Sequence, residues 1–287
     1  MKRVGVIGLG KMGSAIARNL LARGYDVSVW DRSSGPIQEL VAAGAAARES
    51  PEALVGAVDD VIVMLWDDNV AREVSLGRVI PSARKDNVVI ETSTLSPQMY
   101  ETLAKAASER EIGFLAAPVI GSVDAARQGT LTILPGGEQA AFDQARDLLA
   151  AMGSTVTYTG SPTASAYLKL TSNTILGIGA ATWGELLGFC ESAGVDRRLA
   201  IDIISLALGR VATGKTQQIV DRDTAPRFSL NALLKDLRLA RDAAQREHVA
   251  VPIMENVLPQ FEAGAAKGLG DRDYIALALA LEAAELA

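Results

Sequence analysis

Lys169 and Asn173 stand four residues apart in a long, mostly apolar run that includes Leu168, Leu170, Ile175, Leu176 and Ile178. At that spacing both side chains project from one face of a helix. An ammonium there must find a partner, reach water or give up its charge easily. In the last case it can donate and recover a proton near neutral pH. Spacing alone leaves a plainer alternative open, a lysine whose stem lies on the core while its head is hydrated. A second constellation sits near residue 1. Val4-Gly5-Val6-Ile7 leads directly into Gly8-Leu9-Gly10-Lys11-Met12-Gly13 and then into a helical pattern. Gly8 permits a tight turn, Gly10 a close approach of backbone to a diphosphate, and Gly13 close packing of helix on strand. The N–H groups of the helix start then face the anion. Gly8, Leu9, Gly10, Lys11, Met12 and Gly13 are therefore candidate cofactor-binding residues.

The next strand end, Trp30-Asp31-Arg32-Ser33-Ser34, should discriminate between dinucleotides. An acidic residue here favours a free 2′-hydroxyl, hence NAD(H), and an arginine favours a 2′-phosphate, hence NADP(H). Asp31 and Arg32 offer both. Arg32 can grip a phosphate through two parallel bonds, and Ser33 adds a donor. The balance favours NADP(H), with NAD(H) as the alternative.

These residues need a scaffold, and the hydrophobic periods describe one. Strand-like runs at 4–7, 27–30, 61–65, 88–90, 114–117, 131–134 and 156–158 alternate with helical patterns at 12–23, 36–43, 68–76, 97–109 and 138–151. Such alternation predicts an α/β fold, a doubly wound and largely parallel sheet of Rossmann type. The runs at 114–117 and 131–134 bracket Ser122–Gln128 and could pair differently at the sheet edge. After Gly160 the strand signal ends, and helical patterns fill 164–193, 197–207, 230–247, 251–263 and 273–287. The expected organisation is a dinucleotide-binding domain over 1–161 and an all-helical domain over 162–287, joined by a long helix.

Composition narrows the function. The formal net charge of −6 gives no support to nucleic-acid binding. A single cysteine and a single histidine provide neither an intrachain disulfide nor a Cys/His metal cluster. A reducing, cytoplasmic setting fits. The apolar run before Gly8 is too short for a secretory signal, and no stretch reads as a membrane span; 174–193 comes nearest and is broken by Glu185. His248 reads as a helix-end surface residue and Cys190 as a small buried hydrophobe. Trp183 and Phe189 read as core, Glu185 as a buried carboxylate with a structural partner, and Asp67-Asp68 as a solvated turn and helix start.

Taken together, the motifs resemble the β-hydroxyacid dehydrogenase family, in order and nearly end to end. The glycine signature runs from Gly8 through Asn19-Leu20. A strand-end segment, Glu91-Thr92-Ser93-Thr94-Leu95-Ser96-Pro97, follows. Then come a substrate loop, Ala117-Pro118-Val119-Ile120-Gly121-Ser122 with Gly129-Thr130-Leu131, a catalytic helix, Lys169-Leu170-Thr171-Ser172-Asn173, and a distal motif, Leu234-Lys235-Asp236-Leu237. The resemblance implies hydride transfer between a nicotinamide and the carbonyl or hydroxyl carbon of a small oxo- or hydroxy-acid. It makes Lys169 the general acid/base, with Asn173 orienting it or the substrate. It adds Leu65, Thr94 and Lys235 to the cofactor residues, with Lys235 closing over the cofactor from the helical domain. It assigns Val119, Ile120, Gly121, Ser122, Lys169 and Asn173 to the substrate, and implies a homodimer formed through the helical domain. Ile120 stands where the family usually has a serine, and Ala116 where an acidic residue is common. Substrate carboxylate binding then rests on Gly121, Ser122 and Asn173. That less polar pocket keeps an imine or bulky-ketone reductase open as an alternative; a non-catalytic dinucleotide-binding protein is a further alternative, from another class.

Overall fold

The computed structural model describes residues 2–192, 194–208, 215–246 and 252–283. The chain divides into two compact units, Met1–Lys169 and Leu170–Ala287. Strands are β1 (Arg3–Ile7), β2 (Asp26–Trp30), β3 (Ala46–Ala47), β4 (Asp60–Val63), β5 (Val88–Glu91), β6 (Gly113–Ala116), β7 (Val119–Ile120), β8 (Leu131–Ile133), β9 (Gly136–Gly137) and β10 (Gly153–Val156). A seven-stranded sheet of order β3-β2-β1-β4-β5-β6-β9 forms the first unit's centre. Its pairs are parallel except β6–β9.

The strand order reverses between β1 and β4, so the chain leaves their carboxyl ends in opposite directions and opens a crevice there. β4 and β5 are buried along their whole length, as expected for strands covered by helices on both faces. One apolar cluster fills each side of the sheet, the first around Val6, Ile16, Leu20, Val29 and Ile90, the second around Ile7, Leu54, Val63, Val89 and Leu103. The long helix begins at Pro162, and Ala166 in its second turn belongs to the second of these clusters. That packing keeps the helix's first turns with the first unit and moves the division eight residues beyond the composition change at 161/162.

Three local features depart from the sequence periods. Helix Pro51–Ala57 was not expected; Ser50 caps it, accepting from Ala53 N–H, and Pro51 starts it. The segment expected as strand at 156–158 instead pairs at Gly153–Val156, because register with β8 (Gly153↔Leu131, Val156↔Ile133) overrides the apolar pattern. β7 and β8 do pair apart from the main sheet, in a three-stranded sheet of order β10-β8-β7. Finally, the helical stretch expected at 68–76 runs to Ser82, and its middle, Arg72–Val79, is a π-helix.

The second unit contains helices Arg197–Leu208, Thr216–Val220, Leu230–Arg246, Pro252–Gly264 and Ile275–Glu282 around a core of Trp183, Leu187, Ile201, Leu233, Leu237, Phe261 and Leu277. The side chains of Glu185, Phe189 and Cys190, and all of His248, lie outside the described residues. No helix of the described residues is long and apolar enough to cross a membrane.

Candidate functional site

The glycine turn occupies the crevice between β1 and β4. Gly8 has φ +88°, and a Cβ there would meet Met64 O at 2.1 Å, so only glycine fits. A Cβ on Gly13 would meet Gly8 O at 1.9 Å, which is the close helix–turn approach expected from the motif. Gly10 is different: a Cβ would meet nothing within 4 Å. Gly10 also serves as the N-cap of helix Lys11–Ala22 without any side-chain cap. An uncapped helix start behind open space is an anion cradle, and a dinucleotide's diphosphate fits it.

Asp31 is engaged by the protein itself. Leu9 N–H donates to its Oδ2 at 2.7 Å and Ser33 N–H to its Oδ1 at 2.8 Å. The carboxylate therefore shapes the glycine turn and the strand end together. Arg32 beside it is exposed and makes no ion pair or hydrogen bond among the described residues. Met12 is half-buried and Lys11 exposed on the first helical turn.

Two further loops border this crevice. Leu65 N–H, just past β4, donates to Ser93 Oγ at 2.7 Å, just past β5. Thr94 follows, half-buried. Beneath them the fully buried Glu91 accepts from Ser75 Oγ at 2.6 Å, and from the Ser93 hydroxyl and N–H. Burial pushes its carboxyl up to about 7, against the opposing pull of those hydroxyl bonds. Asp68 is not a solvated turn residue: it accepts from Ser96 N–H at 2.9 Å and from Ser96 Oγ at 2.5 Å. Asp67 caps the helix start through Val70 N–H. Among the described residues, no group of three metal-ligating side chains occurs.

The expected substrate loop is held by pairing of Val119 with Ile133 and of Ile120 with Thr132. It ends in Gly121, at φ +142°, and Ser122, both exposed. Ser122 Oγ accepts from Ala125 N–H at 3.2 Å and so caps the next short helix, which leaves its O–H as a donor for a ligand.

Lys169 is half-buried on the long helix, and Asn173, one turn further, is 2% exposed. The Asn173 side-chain N–H donates to Asp236 Oδ2 through a short bond. That bond settles which end of the amide donates. Asp236 is equally buried, and Lys235 Nζ lies 3.0 Å from its other oxygen, outside hydrogen-bonding geometry. So Lys235-Asp236 is no hydrated surface pair. The sequence assigns roles to Lys235 and Asn173, while Asp236 and Glu91 stand in the quoted motifs without a role. The available signals were weak: a carboxylate closing an otherwise apolar buried strand, and an acidic residue next to leucines on a helix.

Comparison with known proteins covers both units. Residues 3–160 match the family described as the NAD binding domain of 6-phosphogluconate dehydrogenase. Residues 163–281 match that described as the NAD-binding domain of NADP-dependent 3-hydroxyisobutyrate dehydrogenase. An uncharacterized oxidoreductase of Bacillus subtilis is 34% identical over 281 residues, covering 96% of this chain and 98% of its own. The 2-(hydroxymethyl)glutarate dehydrogenase of Eubacterium barkeri is 30% identical over 280 residues, covering 96% and 93%. Among solved structures, the 3-hydroxyisobutyrate dehydrogenase of Mycobacterium tuberculosis with L-serine superposes with a TM-score of 0.89 at 27% identity, covering 98% of this chain and 99% of its own.

Proposed function

The chain belongs to the β-hydroxyacid dehydrogenase family and is an NAD(P)-dependent oxidoreductase, and from that premise we propose a residue-level scheme for its reaction. The bound nicotinamide supplies the hydride donor or acceptor. Lys169 donates a proton to the oxygen of a small oxo-acid in reduction, or takes it from the hydroxyl in oxidation. Asn173, fixed by Asp236, presents a set amide geometry one helical turn from that amine. Gly121 and Ser122 offer N–H groups and a hydroxyl to the substrate carboxylate, and Ile120 adds apolar area beside them. The observation that carries this reading is the uncapped helix start behind Gly8, Gly10 and Gly13, on a chain that also retains Lys169. Initial rates with a panel of short oxo-acids, cyclic imines and bulky ketones, each with NADPH and NADH, test it. Turnover of oxo-acids is expected. Exclusive turnover of imines would replace this scheme with the alternative one.

The proposed preference is for NADP(H). Each Asp31 oxygen already accepts one N–H group of the protein, whereas the Arg32 guanidinium is exposed and makes no ion pair or hydrogen bond among the described residues. Arg32→Ala is expected to raise the dissociation constant for NADPH by about tenfold or more, the worth of a charge-assisted bond, and to leave that for NADH nearly unchanged. Fluorescence titration with both cofactors reads this directly.

We also propose a cytoplasmic homodimer formed through the helical unit. On helix Arg197–Leu208, Leu199, Ile203 and Leu206 are 56%, 58% and 80% exposed, while Ala200, Ile201 and Ile204 on its other side are buried. Spacings of four and three place the exposed residues on one face, an apolar stripe that a second copy would cover. Leu206→Asp is expected to shift the light-scattering mass from dimer to monomer while dinucleotide binding persists.

A further inference from the structure

Glu91 closes β5 inside the first unit and takes no part in the proton transfer proposed above. Its neighbours in register, Val63 on β4 and Ala116 on β6, are apolar. Its carboxylate receives three donors: Ser75 Oγ from the π-helix, and both the hydroxyl and the N–H of Ser93. Ser93 Oγ in turn accepts Leu65 N–H at 2.7 Å. The Met64–Leu65 backbone lies directly against the glycine turn, since a Cβ on Gly8 would meet Met64 O at 2.1 Å and Leu65 Cδ2 at 3.2 Å. A continuous chain of contacts thus runs from Glu91 through Ser93 and Leu65 to the diphosphate cradle. Among the described residues, no cation forms an ion pair with Glu91. The charged group facing it is Asp68, from the start of the helical stretch that contains Ser75. The titratable neighbour from helix Pro97–Ser108 is Tyr100, whose hydroxyl donates to Ser93 O at 2.5 Å and lies 3.5 Å from Glu91 O.

We propose that Glu91 is a positioning residue for the dinucleotide: its carboxylate clasps the loops carrying Leu65 and Thr94 in the arrangement that receives the nicotinamide half. The inference rests on the reading that Leu65 and Thr94 contact the dinucleotide. An ionised carboxylate satisfies all three donors at once, because it only accepts. A protonated one carries its own O–H and accepts only neutral bonds, so one hydroxyl bond reverses and the clasp on Ser93, and through it on Leu65, weakens. Burial and the Asp68 charge bring this change to about pH 7. Dinucleotide affinity should therefore rise as pH rises through that value.

The test is a set of dissociation constants for NADPH and NADH from pH 6 to 8.5, measured for the parent, Glu91→Gln and Ser75→Ala. Amide exchange at Leu65 is followed without cofactor. In the parent, binding tightens by about fivefold across the range, the worth of roughly one hydrogen bond, and Leu65 exchange slows in parallel. Glu91→Gln flattens both profiles. Ser75→Ala, which removes one donor to the ionised form, moves both midpoints upward. The 2′-phosphate of NADPH titrates near 6, so the comparison with NADH, which lacks it, isolates the protein's share. Superposable profiles for the parent and Glu91→Gln would overturn the proposal; if that variant does not fold, an unshifted midpoint in Ser75→Ala does the same. A parent that binds NADPH and NADH with a flat profile also overturns it and leaves the oxidoreductase scheme intact. A parent that binds neither cofactor at any pH overturns both.

Discussion

Replacing Lys169 with alanine is expected to lower turnover of a short oxo-acid by roughly 10²–10⁴-fold, the span typical of a lost general acid, while NADPH and NADH still bind as to the parent. The two halves of that expectation come from different parts of the chain. In the proposed scheme the diphosphate rests on the glycine turn, whose Gly8, Leu9 and Ser14 N–H groups bond to Trp30 O, Asp31 Oδ2 and Gly10 O, bonds that removing the Lys169 side chain leaves in place. Proton transfer needs an amine that can change its charge, and Lys169 stands half-buried on the long helix beside Ala166 and Leu170. Lys169→Arg sharpens the point. It keeps the positive charge but cannot release a proton at working pH, so it should be nearly as slow as the alanine variant. If Lys169→Arg kept parental turnover, the residue would be an electrostatic anchor and the proton donor would lie elsewhere. Partial recovery of the alanine variant by added small primary amines would mark the missing group as a proton carrier, which a purely structural lysine would not do.

The parts of the site that could be read from sequence are those encoded by neighbours along the chain. Gly8, Gly10 and Gly13 declare themselves by spacing after an apolar strand, and the turn's geometry follows from glycine's lack of a Cβ. Lys169 and Asn173 share a helical face by arithmetic. What escaped depends on contacts between distant segments. Asp31 reads in sequence as a ribose ligand; that its oxygens also accept the Leu9 and Ser33 N–H groups is a use no spacing rule anticipates. Glu91 looks like the polar end of a strand until the π-helix delivers Ser75 to it. A π-helix has no sequence period of its own, so the helical stretch 68–76 was legible and its widened turn was not. The same limit applies to strands: β3 and β9 are two residues each and exist through pairing alone.

Asp236 shows most clearly what long-range packing adds, and it carries the second large expectation. Asp236→Ala should lower kcat/KM by about 10- to 100-fold, equivalent to the roughly 1–3 kcal/mol cost of leaving a buried donor unpaired. The donor in question is the Asn173 side-chain N–H, buried at 2% exposure, whose bond to Asp236 the variant removes. Lys235 loses its ionic neighbour too, but its side chain is 20% exposed and can turn to solvent, so its share of the loss is smaller. Two companion variants separate bond from charge. Asp236→Asn still presents an amide oxygen to Asn173, so it should recover most of the activity if orientation of that amide is what matters. If it recovers none, the negative charge itself is required, and the orienting role assigned to Asp236 is wrong. In the double variant Asn173→Ala/Asp236→Ala, the two losses should fall well short of adding, with a coupling of about 0.5–3 kcal/mol. Simple additivity would mean that the bond between helices Pro162–Ser192 and Leu230–Arg246 does nothing for the reaction, whatever it does for the fold.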